Sequence, residues 1–125
     1  MRPTLFALCL LVPLAGCSKI HEQRSYSIEP GVTQHLKVTA PLSETTYKVA
    51  VTSDQPVSVW VVLEKAVPGG KDDVEPEALK EGVLAKELNT KEVTLTVTVP
   101  GKEAFRVVLG GTAKPAAVTV KIDSQ

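Results

Sequence analysis

Short runs of alternating apolar and polar residues recur about every ten residues from Tyr26 onward. Such period-two alternation is typical of β-strands that bury one face and leave the other in water. The apolar positions form successive sets, which are Tyr26 and Ile28; Leu36, Val38 and Ala40; Tyr47, Val49 and Val51; Val57, Val59, Val61 and Leu63; Val93, Leu95, Val97 and Val99; Phe105, Val107 and Leu109; and Val118, Val120 and Ile122. The polar positions expected on the opposite, solvated face include Thr94, Thr96, Thr98, Arg106, Thr119 and Lys121.

Turn residues separate these runs at intervals suited to hairpins. They are Glu29-Pro30-Gly31, Ser53-Asp54-Gln55-Pro56, Pro100-Gly101 and Gly110-Gly111. Val and Thr are abundant in the runs, and β-branched side chains fit a pleated surface well. No βαβ rhythm and no internal repeat is visible in the sequence. The pattern therefore predicts an all-β fold, an antiparallel, jelly-roll-like β-sandwich of seven to eight short strands.

One segment, residues 68–88, departs from the strand pattern. It opens with Pro68-Gly69-Gly70, and Pro76 with its early acidic neighbours and the later Gly82 predicts one or two helical turns. Long connections in compact domains often carry function, although insertions at such places also cost little free energy. We therefore keep two interpretations of this long connection: a ligand or partner contact, and a decorative insertion.

The first residues of the chain have the features of a bacterial secretory signal. Met1 and Arg2 supply positive charge, and the apolar stretch at residues 5–12 is too short to cross a bilayer, which takes roughly 20 apolar residues. Leu14-Ala15-Gly16-Cys17 resembles the lipobox of bacterial lipoproteins. That resemblance implies a diacylglyceryl group on the thiol of Cys17, cleavage before this residue, and frequent acylation of the freed amine. Cys9 is a poorer acceptor because the bulky Leu8 precedes it.

The sequence thus divides into three expected parts. These are a cleaved signal peptide at residues 1–16, a lipidated cysteine and polar tether at residues 17–24, and one β-sandwich domain at residues 25–125. Two or three acyl chains exceed the two signals that stable membrane anchoring requires. We expect the protein in the bacterial cell envelope. An aspartate after Cys17 would resemble the inner-membrane retention signal of enteric bacteria. Ser18 stands there instead, so the outer membrane is expected rather than the inner one in a host with two membranes.

Charge and motif content argue against several classes of function. The chain has 14 basic and 14 acidic residues and no run of Lys or Arg, so nucleic-acid binding is not expected. No G-x-S-x-G elbow and no converging set of metal ligands is visible, and Cys17 is blocked once acylated. We therefore expect no catalytic activity, no metal and no cofactor. Both histidines, His21 and His35, are expected at the solvated surface.

Two features remain as candidate ligand or partner contacts. Trp60 falls on the strand face opposite Val59 and Val61, where it could stack on a sugar, anchor a partner, or be covered by the long connection. The long connection carries the densest acidic cluster of the chain, Asp72, Asp73, Glu75 and Glu77. Carboxylate oxygens suit Ca²⁺, but the spacing of these residues matches no calcium loop, and a solvated loop is the alternative interpretation.

The string YKVAVTSDQPVSVWVVL at residues 47–63 resembles the signature region of small extracellular sandwiches of the bacterial pre-peptidase C-terminal type, and more remotely of GOLD-like domains. In those domains a strand ends in Ser-Asp-x-Pro-Val, and a Val-rich strand with an aromatic residue follows. TLTVTVPGKEAFRVVLGG at residues 94–111 and AAVTVKI at residues 116–122 are similar to them in the order of strands and turns. The resemblance implies a jelly-roll-like domain with no activity of its own.

These observations lead to one hypothesis and one alternative. The hypothesis is a non-enzymatic, lipid-anchored envelope protein that contacts the membrane through the lipid on Cys17 and binds another envelope protein or a surface polymer through its sandwich. The alternative is a glycan- or calcium-binding module, which rests on Trp60 and the acidic cluster.

Overall fold

The computed structural model of the protein describes residues 20–70, Leu79 and residues 81–125. The strands in these parts of the chain are β1 (His21–Ile28), β2 (Gln34–Val38), β3 (Thr45–Leu63), β4 (Val83–Val99), β5 (Phe105–Gly110) and β6 (Ala116–Ser124). Two short 3-10 turns, Glu64–Ala66 and Pro68–Gly70, follow β3. The described residues include no helix with the length and apolarity needed to cross a membrane.

The strands pair antiparallel in the order β1-β6-β3-β5-β2, with β4 on the other edge of β3. Along that second edge β4 accompanies β3 from Thr45 to Val62. The first edge of β3 pairs with β6 at residues 47–53 and with β5 at residues 58–63. β1 flanks β6, and β2 flanks β5. The sheet is therefore four strands wide along its whole length, with the order β4-β3-β6-β1 in one half and β4-β3-β5-β2 in the other. We call it the ribbon, and it folds over between these two halves.

The folded ribbon has two layers, which β3 and β4 share. Layer A contains β1, β6, the first half of β3 and the second half of β4; layer B contains β2, β5 and the remaining halves. β3 and β4 pass between the layers where their register shifts, between Thr52 and Val57. We call this end of the domain the bend end. The opposite end holds Ile20 and the loops at residues 39–44 and 100–104, and we call it the Ile20 end.

The apolar residues predicted to face inward form the core between the layers. In β3 they are Tyr47, Val49, Val51, Val57, Val59, Val61 and Leu63, all of them buried. The rings of Tyr47 and Phe105 pack with their centroids 4.9 Å apart. Burial raises the pKa of the Tyr47 hydroxyl, partly offset by its hydrogen bond with Thr45. Each fully buried aliphatic side chain contributes about 1.5–3 kcal/mol, so the alternating pattern supplies the main stabilisation of the sandwich.

The predicted fold class is confirmed, but the strands are fewer and longer than expected. Ser53-Asp54-Gln55-Pro56, predicted to be a turn, lies inside β3, which runs unbroken through the bend. The Ser53 hydroxyl donates to the carbonyl oxygen of Gln55 at 2.6 Å and accepts from its N–H at 3.2 Å, so side-chain bonds replace ladder bonds at this bulge.

Two expected boundaries also move. Residues 83–88, assigned to the long connection, begin β4, because the second half of β3 pairs with them. Residues 21–24, assigned to the tether, form the first half of β1. β1 lies at the edge of layer A, where polar side chains on both faces are tolerated. Cys17, the helical turns predicted after Pro76 and the acidic cluster lie outside the described residues.

Candidate functional site

The centre of the outer face of layer B is covered rather than solvated, whereas Lys37 and Lys86 on the flanking strands are exposed. Trp60 is only 4% exposed and packs with Val62, Val67 and Val108, while Leu79 and Val83 lie half-buried against this second apolar cluster. Val67 belongs to the segment that follows β3, so this segment covers the face. Trp60 is thus covered, as in one of the three interpretations drawn from the sequence. An indole at this depth offers no surface on which a sugar could stack.

Arg106 lies on the same covered face and is fully buried, with 0% exposure. Its Nε donates to Glu64 Oε1 at 2.8 Å, and its Nη2 donates to Glu64 Oε2, so the pair is bidentate. Glu64 opens the first 3-10 turn, and its N–H donates to the carbonyl oxygen of Ala104 at 2.9 Å. The expectation that Arg106 faces solvent is wrong, because the residues after β3 fold back onto β5.

His35 completes this buried polar cluster. Arg106 Nη1 donates to His35 Nδ1 at 2.8 Å, so the ring proton of His35 sits on Nε2, 3.3 Å from Thr33 Oγ1. The solvated role expected for His35 is therefore wrong, since its side chain is half-buried and hydrogen-bonded. His21, by contrast, is exposed as expected and lies 2.8 Å from Asp123 Oδ1.

The chemistry of this cluster favours a structural role. Removal of one partner of a buried ion pair typically costs 3–5 kcal/mol, on the order of half the stability of a small domain. The pair therefore fixes the start of the segment that covers layer B. The cluster was not predicted from the sequence, although one signal was present. Val108 and Val62 lie on the same outer face as Arg106, and apolar residues on an outer face indicate a cover.

An open cleft lies at the bend end. It has a volume of about 380 Å³ and is lined by Gln55, Pro56, Asn89, Gly111, Ala113 and Lys114. These residues come from the bulge of β3, the middle of β4 and the loop between β5 and β6. Most of the lining surface is apolar, with amide groups from Gln55 and Asn89 and one cation from Lys114. A mainly apolar lining with a few polar groups suits an organic ligand or a peptide segment better than a small ion.

Local backbone geometry builds the cleft. Asn89 and Gly111 both have positive φ, 52° and 70°. The Asn89 N–H donates to Ser58 Oγ at 3.2 Å, and a side chain on Gly111 would approach the same oxygen to 3.1 Å. The Ala117 N–H donates to Asp54 Oδ1 at 2.8 Å and ties the bulge to β6. Ser53–Pro56 and Gly110-Gly111 were predicted from the sequence as plain turns, no prediction was made for Asn89, and no motif in these segments marks a cleft.

No group of three or more His, Cys, Asp or Glu residues that could hold a metal ion occurs in the described parts of the chain. Asp72, Asp73, Glu75 and Glu77 lie outside those parts. A calcium-binding role for the acidic cluster thus stays a prediction.

The fold and these surfaces define a small antiparallel β-sandwich domain. No protein-family model matches the chain, and no curated protein matches it in sequence. Solved structures do match it in fold. The pre-peptidase C-terminal domain of a collagenase from Bacillus anthracis is similar with a TM-score of 0.59 at 8% identity, over 82% of this chain and 89% of that one.

Two further structures share the fold. The mitogen derived from Yersinia pseudotuberculosis has a TM-score of 0.56 at 6% identity, over 85% of each chain. PliG from Aeromonas hydrophila, a periplasmic inhibitor of g-type lysozyme, has a TM-score of 0.52 at 10% identity, over 86% of this chain and 87% of that one. At such identities the likeness shows the fold alone. The predicted resemblance to pre-peptidase C-terminal domains is confirmed at that level, and the remoter one to GOLD-like domains stays a prediction.

Proposed function

We propose that this protein is a non-enzymatic, lipid-anchored binding module of the bacterial cell envelope. In this proposal Cys17 carries the lipid, and the sandwich binds another envelope protein through the cleft at the bend end. The structural neighbours include a domain of a collagenase and an inhibitor of g-type lysozyme, so the fold is compatible with a binding role.

The observation that carries the proposal is the placement of the cleft relative to the start of the domain. The described chain starts at Ile20, whose backbone is bonded to Ser124 at the Ile20 end. The cleft lies at the other end, beyond the length of β1 and β6. Strands of eight residues span roughly 25 Å, so an anchor that precedes Ile20 leaves the cleft facing away from the membrane.

Metabolic labelling tests the anchor. Cells that express the protein are fed an alkyne-tagged fatty acid, and we expect the purified protein to carry the tag while the Cys17→Ser variant carries none and keeps its leader. Cys9 is the matched control, since Cys9→Ser should be tagged as the parent is. Equal tagging of the Cys17→Ser variant would contradict the lipid anchor.

Site-specific crosslinking tests the cleft. A photoactivatable amino acid is placed at Ala113, an exposed residue of the cleft, or at Thr96, an exposed residue on the outer face of layer A. After irradiation of cells of the native host, we expect a discrete adduct from Ala113 and none from Thr96. Adducts that are the same at both positions, or absent at both, would argue against the cleft as the binding site.

A further inference from the structure

The Ile20 end carries the most exposed large apolar side chain among the described residues. Leu42 is 86% exposed, whereas Val32 and Leu88, the other exposed large apolar residues described, are each 50% exposed. Leu42 lies in the loop between β2 and β3, preceded by Pro41 and followed by Ser43. A single exposed leucine is unremarkable unless its loop holds it in place, so the contacts of the loop decide its meaning.

The loop is fixed on both sides of Leu42. The Lys102 N–H donates to the carbonyl oxygen of Pro41 at 2.7 Å, and the Thr45 hydroxyl donates to that of Ser43 at 2.8 Å. The loop at residues 100–104 also packs closely, since a side chain on Gly101 would come within 2.9 Å of the Ser43 Cα. Leu42 therefore points outward from a braced loop and does not fold back onto the core.

The length of chain before the domain brings the lipid to the same place. The Ile20 N–H donates to Ser124 Oγ at 2.7 Å, and the Ser124 N–H donates to the Ile20 carbonyl oxygen at 2.9 Å. Only Ser18 and Lys19 separate this fixed residue from Cys17. Three residue steps span at most about 11 Å, so a lipid on Cys17 keeps the Ile20 end against the bilayer.

Leu42 reaches beyond the same end. Ser124 pairs with Tyr47 in β3. Followed backwards from Tyr47, the chain leaves β3 at Thr45 and reaches Leu42 in the loop beyond the same end of the sheet as Ile20. Neighbouring strands lie about 4.8 Å apart, so the row from Ile20 through Ser124 to Tyr47 is roughly 10 Å wide. The strand that leads to Leu42 and the first described residue, Ile20, thus lie about 10 Å apart at one end of the sandwich.

We propose that the Ile20 end docks on the lipid headgroup layer, with Leu42 inserted at the boundary between headgroups and acyl chains. This inference rests on the proposed lipidation of Cys17 and adds to it a fixed orientation. The exposed ammonium of Lys102 faces the lipid phosphates. Glu44 is exposed beside Leu42, and Lys65 is paired with Glu103 at 3.5 Å, so the local charge is nearly balanced and the apolar contact dominates.

Depth-dependent quenching tests the docking. The lipidated protein with Leu42→Cys or Val32→Cys is labelled with a small fluorophore and placed in phosphatidylcholine and phosphatidylglycerol vesicles with spin-labelled acyl chains. Val32 is the matched control, because it is an exposed aliphatic residue in the loop between β1 and β2 at the bend end. The acylated Cys17 does not react. We expect the label at position 42 to lose most of its emission and the label at position 32 to lose none.

A second measurement avoids a label at the docking residue itself. A fluorophore at Ala113 reports its distance from an acceptor dye in the headgroup layer, in the parent protein and in the Leu42→Asp variant. Docking holds the bend end away from the membrane, so energy transfer should be low in the parent and should rise when Leu42→Asp lets the domain recline. Val32→Asp should leave the transfer unchanged.

Flotation of the same vesicles distinguishes the two proposals. A protein that floats with the vesicles but shows no quenching at position 42 overturns the docking and leaves the lipid anchor standing. Equal energy transfer from Ala113 in the parent and in Leu42→Asp overturns the docking in the same way. A protein that does not float overturns the anchor, and the docking with it.

Discussion

The outer faces of the two layers differ sharply, although one strand contributes to both. In the first half of β3, the outward positions Thr46, Lys48 and Thr52 are partly or fully solvated. In the second half, the outward positions Ser58, Trp60 and Val62 are all buried. The residues paired with these positions on the neighbouring strands differ in the same way. Thr98 and Thr119 lie beside the first set, and Val108 and Arg106 lie beside the second.

This difference shows that a sandwich layer can acquire a second, smaller core. The residues after β3 fold back over layer B, and the buried Arg106–Glu64 pair fixes their start. Layer A has hydroxyl contacts between strands instead, such as that of Thr46 with Thr98 at 3.0 Å. A substitution on the covered face should therefore destabilise the protein, whereas an equivalent one on the solvated face should not.

The largest effect is expected at the indole of the covered face. Trp60→Ala removes a buried aromatic side chain and should lower the free energy of unfolding by about 3–5 kcal/mol. Thr52→Ala, on the outer face of layer A, should change it by less than about 0.5 kcal/mol. Urea denaturation followed by far-UV circular dichroism measures both, since Trp60 is the only tryptophan. Similar midpoints for the two variants would show that the cover contributes no stability.

Each layer has a Glu–Arg ion pair, so a Glu→Gln substitution in each allows their contributions to the free energy of unfolding to be compared. Glu64→Gln leaves Arg106 buried with a neutral partner, and because Glu64 is itself 31% exposed, we expect a loss of about 2–4 kcal/mol. Glu22→Gln breaks the 2.7 Å pair of Glu22 with Arg24 in β1, whose arginine is 56% exposed whereas Arg106 is 0% exposed, and should cost less than about 1 kcal/mol.

Chemical denaturation at neutral pH, with and without added salt, checks this pair of variants. Salt should weaken the contribution of Glu22 and leave that of Glu64 nearly unchanged, because buried charges are screened much less than exposed ones. Equal losses in the two variants would mean that the Arg106 cluster is as well solvated as the exposed pair.

Two glycines give the smallest and most local comparison. Gly82 and Gly31 have nearly equal positive φ, 79° and 81°, but a Cβ at Gly82 would lie 2.4 Å from the Ala66 Cβ, whereas one at Gly31 meets nothing within 4 Å. Gly31→Ala should cost only the left-handed strain of about 1 kcal/mol. Gly82→Ala adds a steric clash with Ala66 and should cost about 2–3 kcal/mol.

Thermal or urea unfolding of the two glycine variants measures the difference between them. Ala66→Gly in the Gly82→Ala background should recover the steric part of the loss and leave the backbone strain. If the double variant is no more stable than Gly82→Ala alone, the contact with Ala66 is not the cause.

The inner core was predictable because its signal is local. Tyr47, Val49 and Val51 alternate with polar residues, and a period of two places them on one face whatever the rest of the chain does. The bend was not predictable. Ser53 to Pro56 has the composition of a turn, and the strand stays unbroken because β3 pairs with β4 on both sides of it, at Thr52 and at Val57.

The candidate sites were less predictable than the core. The cleft at the bend end joins segments that are far apart in the sequence, around Pro56, Asn89 and Ala113. The segments around Pro56 and Ala113 are each typical of a turn, and Asn89 carries no motif. Trp60 and the acidic cluster were selected from the sequence for their chemistry. The burial of Trp60, however, depends on how the segment after β3 folds over layer B, which no local pattern in the sequence indicates.

The sequence by itself determined the all-β class, the inward faces of the strands outside residues 21–24 and 83–88, and the lipobox-like Leu14 to Cys17 on which the proposed anchor rests. Alternation and local motifs act over a few residues, so they can be recognised without the fold. Only the tertiary structure decided which outer face is covered, how Arg106 is paired and where Leu42 protrudes. Those outcomes depend on contacts such as Arg106 with Glu64, 42 residues apart, whose formation follows from the packing of the whole domain.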